Sequence, residues 1–305
     1  MLTYILRRFL ETLPVLWAIL TLAFFMVALS PGSPFDTEKA MPKEVKAALE
    51  AQYGLDDPLW VQYGRYLWGA VRGDLGPSYK YPGWSVTELI LNKIPVSLEL
   101  GFYALCIALV LGVLAGVLAA WRPNTWTDYL PMSAAMVGIC LPAFVLGPLL
   151  ILIFALKLGW LNVSGWFLPQ DRILPAFTLG LVYAATIARL TRGSMVEVSN
   201  QDYMRTAAAK GLSPWRIHLV HGLRNALTPV ISYLGPLAAA LVTGSFVIET
   251  VFNVPGLGRF FVDAALNQDS TMVLGTVIFY ASVLILMNLM ADILLVIINP
   301  RQKFE

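Results

Sequence analysis

The chain has 305 residues, 58% of them hydrophobic and 13% charged, with a net charge of +2. Soluble domains average about 25% charged residues, so this composition excludes a water-soluble globule and leaves room for about six transmembrane helices in an all-α, polytopic membrane protein. The small net charge and the lack of a continuous Lys/Arg tract set nucleic acid aside as a partner.

In chain order, Arg7 and Arg8 precede an apolar run from Leu13 to Leu29. The run exceeds the usual core of a cleaved signal, and Pro31 directly after Ala28-Leu29-Ser30 opposes cleavage, so it is expected to stay as a first span. An extracytoplasmic segment follows over 31–95. Within it, Pro42 to Tyr53 reads as a short helix closed by Gly54, and Asp57-Pro58 as N-cap and first-turn proline of a helix reaching Arg72. Trp60, Tyr63, Tyr66 and Trp68 on that helix are expected at the membrane interface or against neighbouring subunits, with an external partner as the other reading.

Residues 96–305 hold five further apolar runs: Val96 to Ala120, Leu130 to Leu156, Ile173 to Ala188, Val230 to Val251 and Met272 to Ile298. Crossings of even number place both termini on one side. Arg7, Arg8, Arg122, Arg189, Arg192, Arg205, Lys210, Arg216, Arg224, Arg301 and Lys303 then share one face, against Lys157, Arg172 and Arg259 in the short loops opposite. The positive-inside rule makes the richer face, with both termini, cytoplasmic. Gly112 and Gly116 form a GxxxG pair that permits close helix approach, either inside this bundle or at a subunit contact. Cys106 and Cys140 lie within apolar runs, where a thiol packs as a small hydrophobe.

Catalytic machinery is not expected. The sequence contains no phosphate-cradling G-x-x-x-x-G-K-[ST] and no H-E-x-x-H, and Gly256-Leu257-Gly258 lacks the third glycine of a dinucleotide fingerprint. His218 and His221 stand at i, i+3 without the further ligands a metal site requires, so no metal and no bound cofactor are expected. Glu99, Glu249 and Asp292 fall toward the ends of their runs, in snorkelling or salt-bridge positions, which leaves the membrane midplane free of the acids a proton- or sodium-coupled carrier uses. Tyr183, Thr186, Thr243, Ser245, Thr276, Tyr280, Ser282 and Asn288 are uncharged polar groups nearer the middle. They suit either a wet path or ordinary bonds between helices; Thr243, Ser245, Thr276 and Tyr280 are the path candidates, with Glu249 near an outer gate.

The segment over 192–228 is longer than a connector inside a bundle needs. Asp202 to Lys210 reads as a short helix stopped by Gly211, and Ser213-Pro214 opens another through His221. Small alanines with Arg205, Lys210, Arg216 and Arg224 fit docking into a partner's groove, while an interfacial helix lying on the membrane is the competing reading.

This segment resembles the cytoplasmic coupling loop of membrane subunits of binding-protein-dependent ABC importers, known by an E-A-A-x-x-x-G motif. Aligned on Gly211, the motif's glutamate falls on Arg205 and its alanines on Thr206 and Ala207. The R-T-A-x-A-K-G version here, continued by His221-Gly222-Leu223-Arg224-Asn225-Ala226-Leu227 and Pro229, is similar to peptide importers. Tyr4-Ile5-Leu6-Arg7-Arg8, Pro31-Gly32-Ser33-Pro34-Phe35, Gly54-Leu55-Asp56-Asp57-Pro58, Gly73-Asp74-Leu75-Gly76, Gly244-Ser245 with Val247-Ile248-Glu249-Thr250, Pro255-Gly256-Leu257-Gly258 and Asn299-Pro300-Arg301 also resemble B-type permease subunits of oligopeptide importers, with dipeptide and nickel importers as near relatives.

The resemblance implies a type I importer permease fold in a bacterial inner membrane. It also implies a homologous second permease, two ATP-binding subunits that use ATP and Mg, an extracytoplasmic substrate-binding protein and a peptide substrate, with membrane lipid around the spans. Tyr203, Arg205, Thr206, Ala207, Ala208, Lys210, Gly211 and His221 then become the residues expected to engage the ATPase. Glutathione, dipeptides and nickel are alternative cargoes; a self-contained secondary carrier and a non-transporting receptor or scaffold are the rival classes.

Overall fold

The computed structural model describes residues 2–30, 43–242 and 246–298. Most of this is helix, and the extended pairing among the described residues is an isolated antiparallel bridge between Pro77 and Ser85. Four helices are long and apolar enough to cross a bilayer: α1 (Leu2–Ala28), α4 (Val86–Trp121), α7 (Ile173–Ser199) and α14 (Ser270–Ile298). Between them lie α2 (Lys43–Gln52), α3 (Leu59–Val71), α5 (Trp126–Cys140), α6 (Ala143–Leu150), α8 (Asp202–Ala209), α9 (Pro214–Arg216), α10 (Leu223–Ala226), α11 (Thr228–Val242), α12 (Phe246–Val251) and α13 (Leu257–Leu266).

One expected crossing differs from the sequence reading. The run from Leu130 to Leu156 is not one rod: α5 and α6, the latter prolonged by a π-helical stretch over Ile151–Lys157, bend by 109° and form a fifth span only as a broken pair. The break sits at Leu141, whose φ −88° and ψ 121° are extended. Pro142 follows it, and a proline's ring disfavours helical backbone in the residue before it. Over the run from Val230 to Val251 the described residues are helical, as α11 and α12, and 243–245 lie outside the described residues.

The chain forms two compact units, one from 1–96 and 255–285, the other from 97–254 and 286–305. In the first, the start of α4 (Val86, Leu89, Ile90) packs with Leu257 and Ala264 of α13 and Met272 of α14. Asp269, 1% exposed, pins the loop before α4: Ser78 Oγ donates to it at 2.5 Å and the amides of Tyr79 and Lys80 at 3.3 and 3.4 Å, while Thr271 Oγ1 and the Met272 amide approach from its own side. Burial, with Asp269 nearby, pushes the Tyr79 phenol up to about 12.

Tyr63 and Tyr66 of α3 face α1, whereas Trp60 and Trp68 remain 75% and 60% exposed. Tyr63 stacks 5.6 Å from Phe25 of α1 and bonds Thr21 Oγ1 at 2.7 Å; Tyr66 lies 6.1 Å from Phe24 and Trp60 5.6 Å from Phe25. Pro58, not Asp57, is the N-cap of α3; the Asp57 carboxylate instead pairs with Arg65 nearly two turns into the helix.

The second unit is built on small-residue contacts, the means by which helices associate where lipid offers no hydrophobic gain. A Cβ placed on Gly112 of α4 would stand 2.7 Å from both the Ala184 carbonyl and Ile187 Cβ of α7, and one on Gly116 2.5 Å from Thr191 Cβ. Gly180 answers from α7, 2.9 Å from the Ala104 carbonyl by the same measure. The GxxxG pair therefore serves packing within this chain. Gly138 of α5 comes equally near the Leu181 carbonyl of α7, at 2.7 Å.

Two ion pairs fix α7 at its ends. Arg192 donates through Nε and Nη2 to both oxygens of Asp128 at 2.5 Å each, and Arg172 Nε donates to Glu99 at 2.5 Å. Glu99 thus takes the salt-bridge option.

Candidate functional site

The short helix α8 starts after Gln201, which is extended at φ −74° and ψ 149°, and Asp202 in its first turn complements the positive end of the helix dipole. Gly211 closes it with φ +76°, a left-handed conformation that side chains with a Cβ adopt at a cost. Its amide donates to the Ala208 carbonyl at 2.9 Å. A Cβ at Gly211 would meet nothing within 4 Å, so the demand for glycine comes from backbone conformation alone.

The helix has two faces. Met204 and Ala207, 4% and 7% exposed, pack with Ile217, Val198 and Leu212. Tyr203, Arg205, Thr206, Ala208, Lys210 and Gly211 are exposed, as is His221 on the following segment. Of the residues expected to engage an ATPase, Ala207 is the one placed on the seat rather than on the open face. The spacing explains it: i, i+3 from Met204 falls on the same side of a helix.

Arg205 and Asp202 form a loose, solvent-exposed pair at 3.7 Å, and Asn225 Nδ2 donates to the Tyr203 hydroxyl at 2.9 Å. Beneath α8, Gly222 separates two methionines: a Cβ there would lie 3.2 Å from Met204 Cε and 3.6 Å from Met195 Cε. Met195 belongs to α7 and packs with Val117, Ala120 and Ala226. Val198 of α7 touches both this cluster and the Met204 cluster, joining the short helix to a long one by apolar contact.

The second helix of the segment is α-helical only over Pro214–Arg216 and continues as a π-helix over Ile217–Gly222. Trp215 lies 4.3 Å from Trp121 at the end of α4, and His218 4.9 Å from the same indole, centroid to centroid. Burial holds the His218 imidazole below its ordinary pKa, and its Nδ1 is buried without a hydrogen-bond partner. His221 is exposed, and no cluster of three possible metal ligands occurs among the described residues.

The path candidates are placed as follows. Thr243 and Ser245 lie outside the described residues. Glu249 is fully buried at the start of α12 and accepts a bond from Ser97 Oγ at 3.0 Å. Thr276, also fully buried, donates its hydroxyl to the Met272 carbonyl one turn back. Tyr280 is half-buried with its ring 6.0 Å from Phe261. Glu249 belongs to one unit and Thr276 and Tyr280 to the other.

Sequence reasoning passed over Met204, Trp215 and Asp128. The first is legible as the apolar position one turn before Ala207; Asp128, a charge at the mouth of an apolar run, is a signal in its own right, because such a charge requires a partner.

Residues 112–304 match the family described as "Binding-protein-dependent transport system inner membrane component", and residues 1–100 match the N-terminal family of the same membrane components. The chain is 49% identical to an oligopeptide transport system permease protein, OppB, of Haemophilus influenzae, and 47% identical to OppB of Escherichia coli K12, covering 100% of both chains in each case. A dipeptide transport system permease protein, DppB, of Bacillus subtilis is 45% identical over 99% of this chain and 98% of its own.

In fold, the chain resembles an inward-facing structure of the MetNI methionine ABC transporter, with a TM-score of 0.55 at 18% identity, covering 69% of this chain and 96% of that one. An amino acid ABC transporter with histidines gives 0.51 at 17% identity, covering 71% and 95%. Both the family matches and the full-length relatives agree: the chain belongs to the family of binding-protein-dependent transport system inner membrane components.

Proposed function

We propose that this chain is a permease subunit of an ATP-driven peptide importer of the oligopeptide kind. It sits in a bacterial inner membrane with both termini cytoplasmic and forms half of the translocation path beside a homologous second permease. The chain itself holds no cofactor. Two partner subunits hydrolyse ATP with Mg, and an extracytoplasmic binding protein delivers the peptide.

The observation that carries the coupling part is the two-faced α8. Met204 and Ala207 anchor it, which leaves Tyr203, Arg205, Thr206, Ala208, Lys210 and Gly211 free for a groove on a partner. Apolar contact through Val198 supports a route by which movement of that helix reaches α7. Such a lever transmits work only if the docked and resting states differ in this contact.

The test is the double variant Arg205→Glu with Ala208→Trp, both on the open face, in the complete importer. Membrane insertion stays normal, while peptide uptake and peptide-stimulated ATPase activity are lost; normal uptake would overturn the assignment. The 45% identity to a dipeptide permease supports dipeptides as the second cargo class. Competition between peptides of two and of several residues for uptake by the same complex separates the two.

A further inference from the structure

Where α4 ends and α5 begins, the chain forms an open groove of about 470 Å³ between Leu118, Trp121, Trp126, Leu130 and Trp215, with Arg122 at its rim. The walls are almost wholly apolar, yet they are exposed: Trp126 is 84% exposed and Leu130 70%. Its depth in the bilayer follows from the sequence. From Leu100 to Trp121 helix α4 carries no charged residue, which is about the length that fills the hydrocarbon core. Arg122 is thus the first charge beyond the core, and Trp121, Trp126 and Trp215 lie at the level where indoles gather beside headgroups.

Arg122 is exposed and makes no ion pair among the described residues. The nearby acid, Asp128, is committed to Arg192 through both oxygens. A basic side chain left unpaired above an apolar trough matches an amphiphile with an anionic head and a hydrocarbon tail.

We propose that this groove is a binding site for one anionic phospholipid, its phosphate on Arg122 and an acyl chain along Leu118, Leu130 and Trp126, with the Trp121–Trp215 pair closing one side. The site belongs to this chain alone and does not rest on the coupling role proposed for α8.

The full chain, reconstituted in nanodiscs with increasing dibrominated phosphatidylglycerol or dibrominated phosphatidylcholine, provides the test. Bromine quenches indoles within contact range, and subtracting the signal of Trp126→Phe isolates the groove; that indole is exposed enough to be replaced without disturbing the fold. Half-quenching is expected at about fivefold less phosphatidylglycerol than phosphatidylcholine, the weight of one basic residue near an anionic surface. Arg122→Gln removes the preference, and Arg122→Lys keeps it. Equal quenching by both lipids in the unaltered chain would mean ordinary annular contact and overturn the proposal, as would a preference that survives Arg122→Gln. Loss of the quenching when the companion subunits bind would overturn it in favour of a protein contact.

Discussion

Alanine at Gly116 probes the crossing of α4 and α7 with a single methyl group. That methyl would stand 2.5 Å from Thr191 Cβ, 2.7 Å from the Ala188 carbonyl and 3.0 Å from the Arg192 amide nitrogen. Two of the three neighbours are backbone and cannot rotate away, so the helices must part by about 0.5–1 Å, a gap that forfeits a quarter to a half of each affected dispersion contact. Overpacking of this kind costs about 1–3 kcal/mol, and the better helix propensity of alanine returns about 0.5–1 kcal/mol. The net loss expected is about 0.5–2 kcal/mol. Gly193 on α7 is the control, because a Cβ there meets nothing within 4 Å; Gly193→Ala receives the propensity gain without the clash and is expected to stabilise by about 0.5–1 kcal/mol. Reversible unfolding in mixed dodecyl maltoside and SDS micelles, followed by circular dichroism, measures both. If Gly116→Ala unfolds at or above the SDS fraction of the unaltered chain, the close approach described here is wrong.

The Asp128 carboxylate is buried and its partner Arg192 about a third exposed. Asp128→Asn is therefore expected to cost about 3 kcal/mol, the lower end for breaking a buried pair, and adding Arg192→Gln is expected to cost much less than the sum of the two singles in a double-mutant cycle. At Gly211 only the left-handed backbone matters. Gly211→Asn is expected to keep most ATP-driven uptake and Gly211→Val to lose it, with equal amounts of each in the membrane; equal activity would refute a conformational role. His218 has a folded pKa below its unfolded value of about 6.5. The unfolded chain then takes up a proton that the folded one refuses, so stability is full above about pH 6.5 and declines as pH falls toward the folded pKa. His218→Phe is expected to flatten that part of the profile, and an unchanged slope would assign it to other groups.

Long uninterrupted runs made α1, α4, α7 and α14 plain in the sequence, because a span is announced by length and apolarity alone. The kink at Leu141 was written there too, in the proline after it, but hydropathy averages over a window and carries the run through. Gly112 and Gly116 were visible as a pair, while their partner helix was not: what they meet on α7 is Ala184, Ile187, Ala188 and Thr191, a set with no motif of its own. The exposed face of α8 was legible from its polar residues. Ala207 was not separable from Ala208 by type, only by its register to Met204. The π-helical winding over 217–222, which sets where Trp215 and His218 fall against Trp121, has no composition of its own and escaped notice.

Two thioethers, Met204 and Met195, flank Gly222 beneath α8, beside the branched Val198, Leu212 and Ile217. The branched side chains hold one setting, whereas the unbranched sulfur chains pass from one rotamer to another at little cost. The seat of α8 thus joins a keyed wall to a pliant one, closer to a soft bushing than to a lock. The same softness leaves it open to rust, since a sulfoxide at either sulfur would set a polar, chiral wedge in the seat.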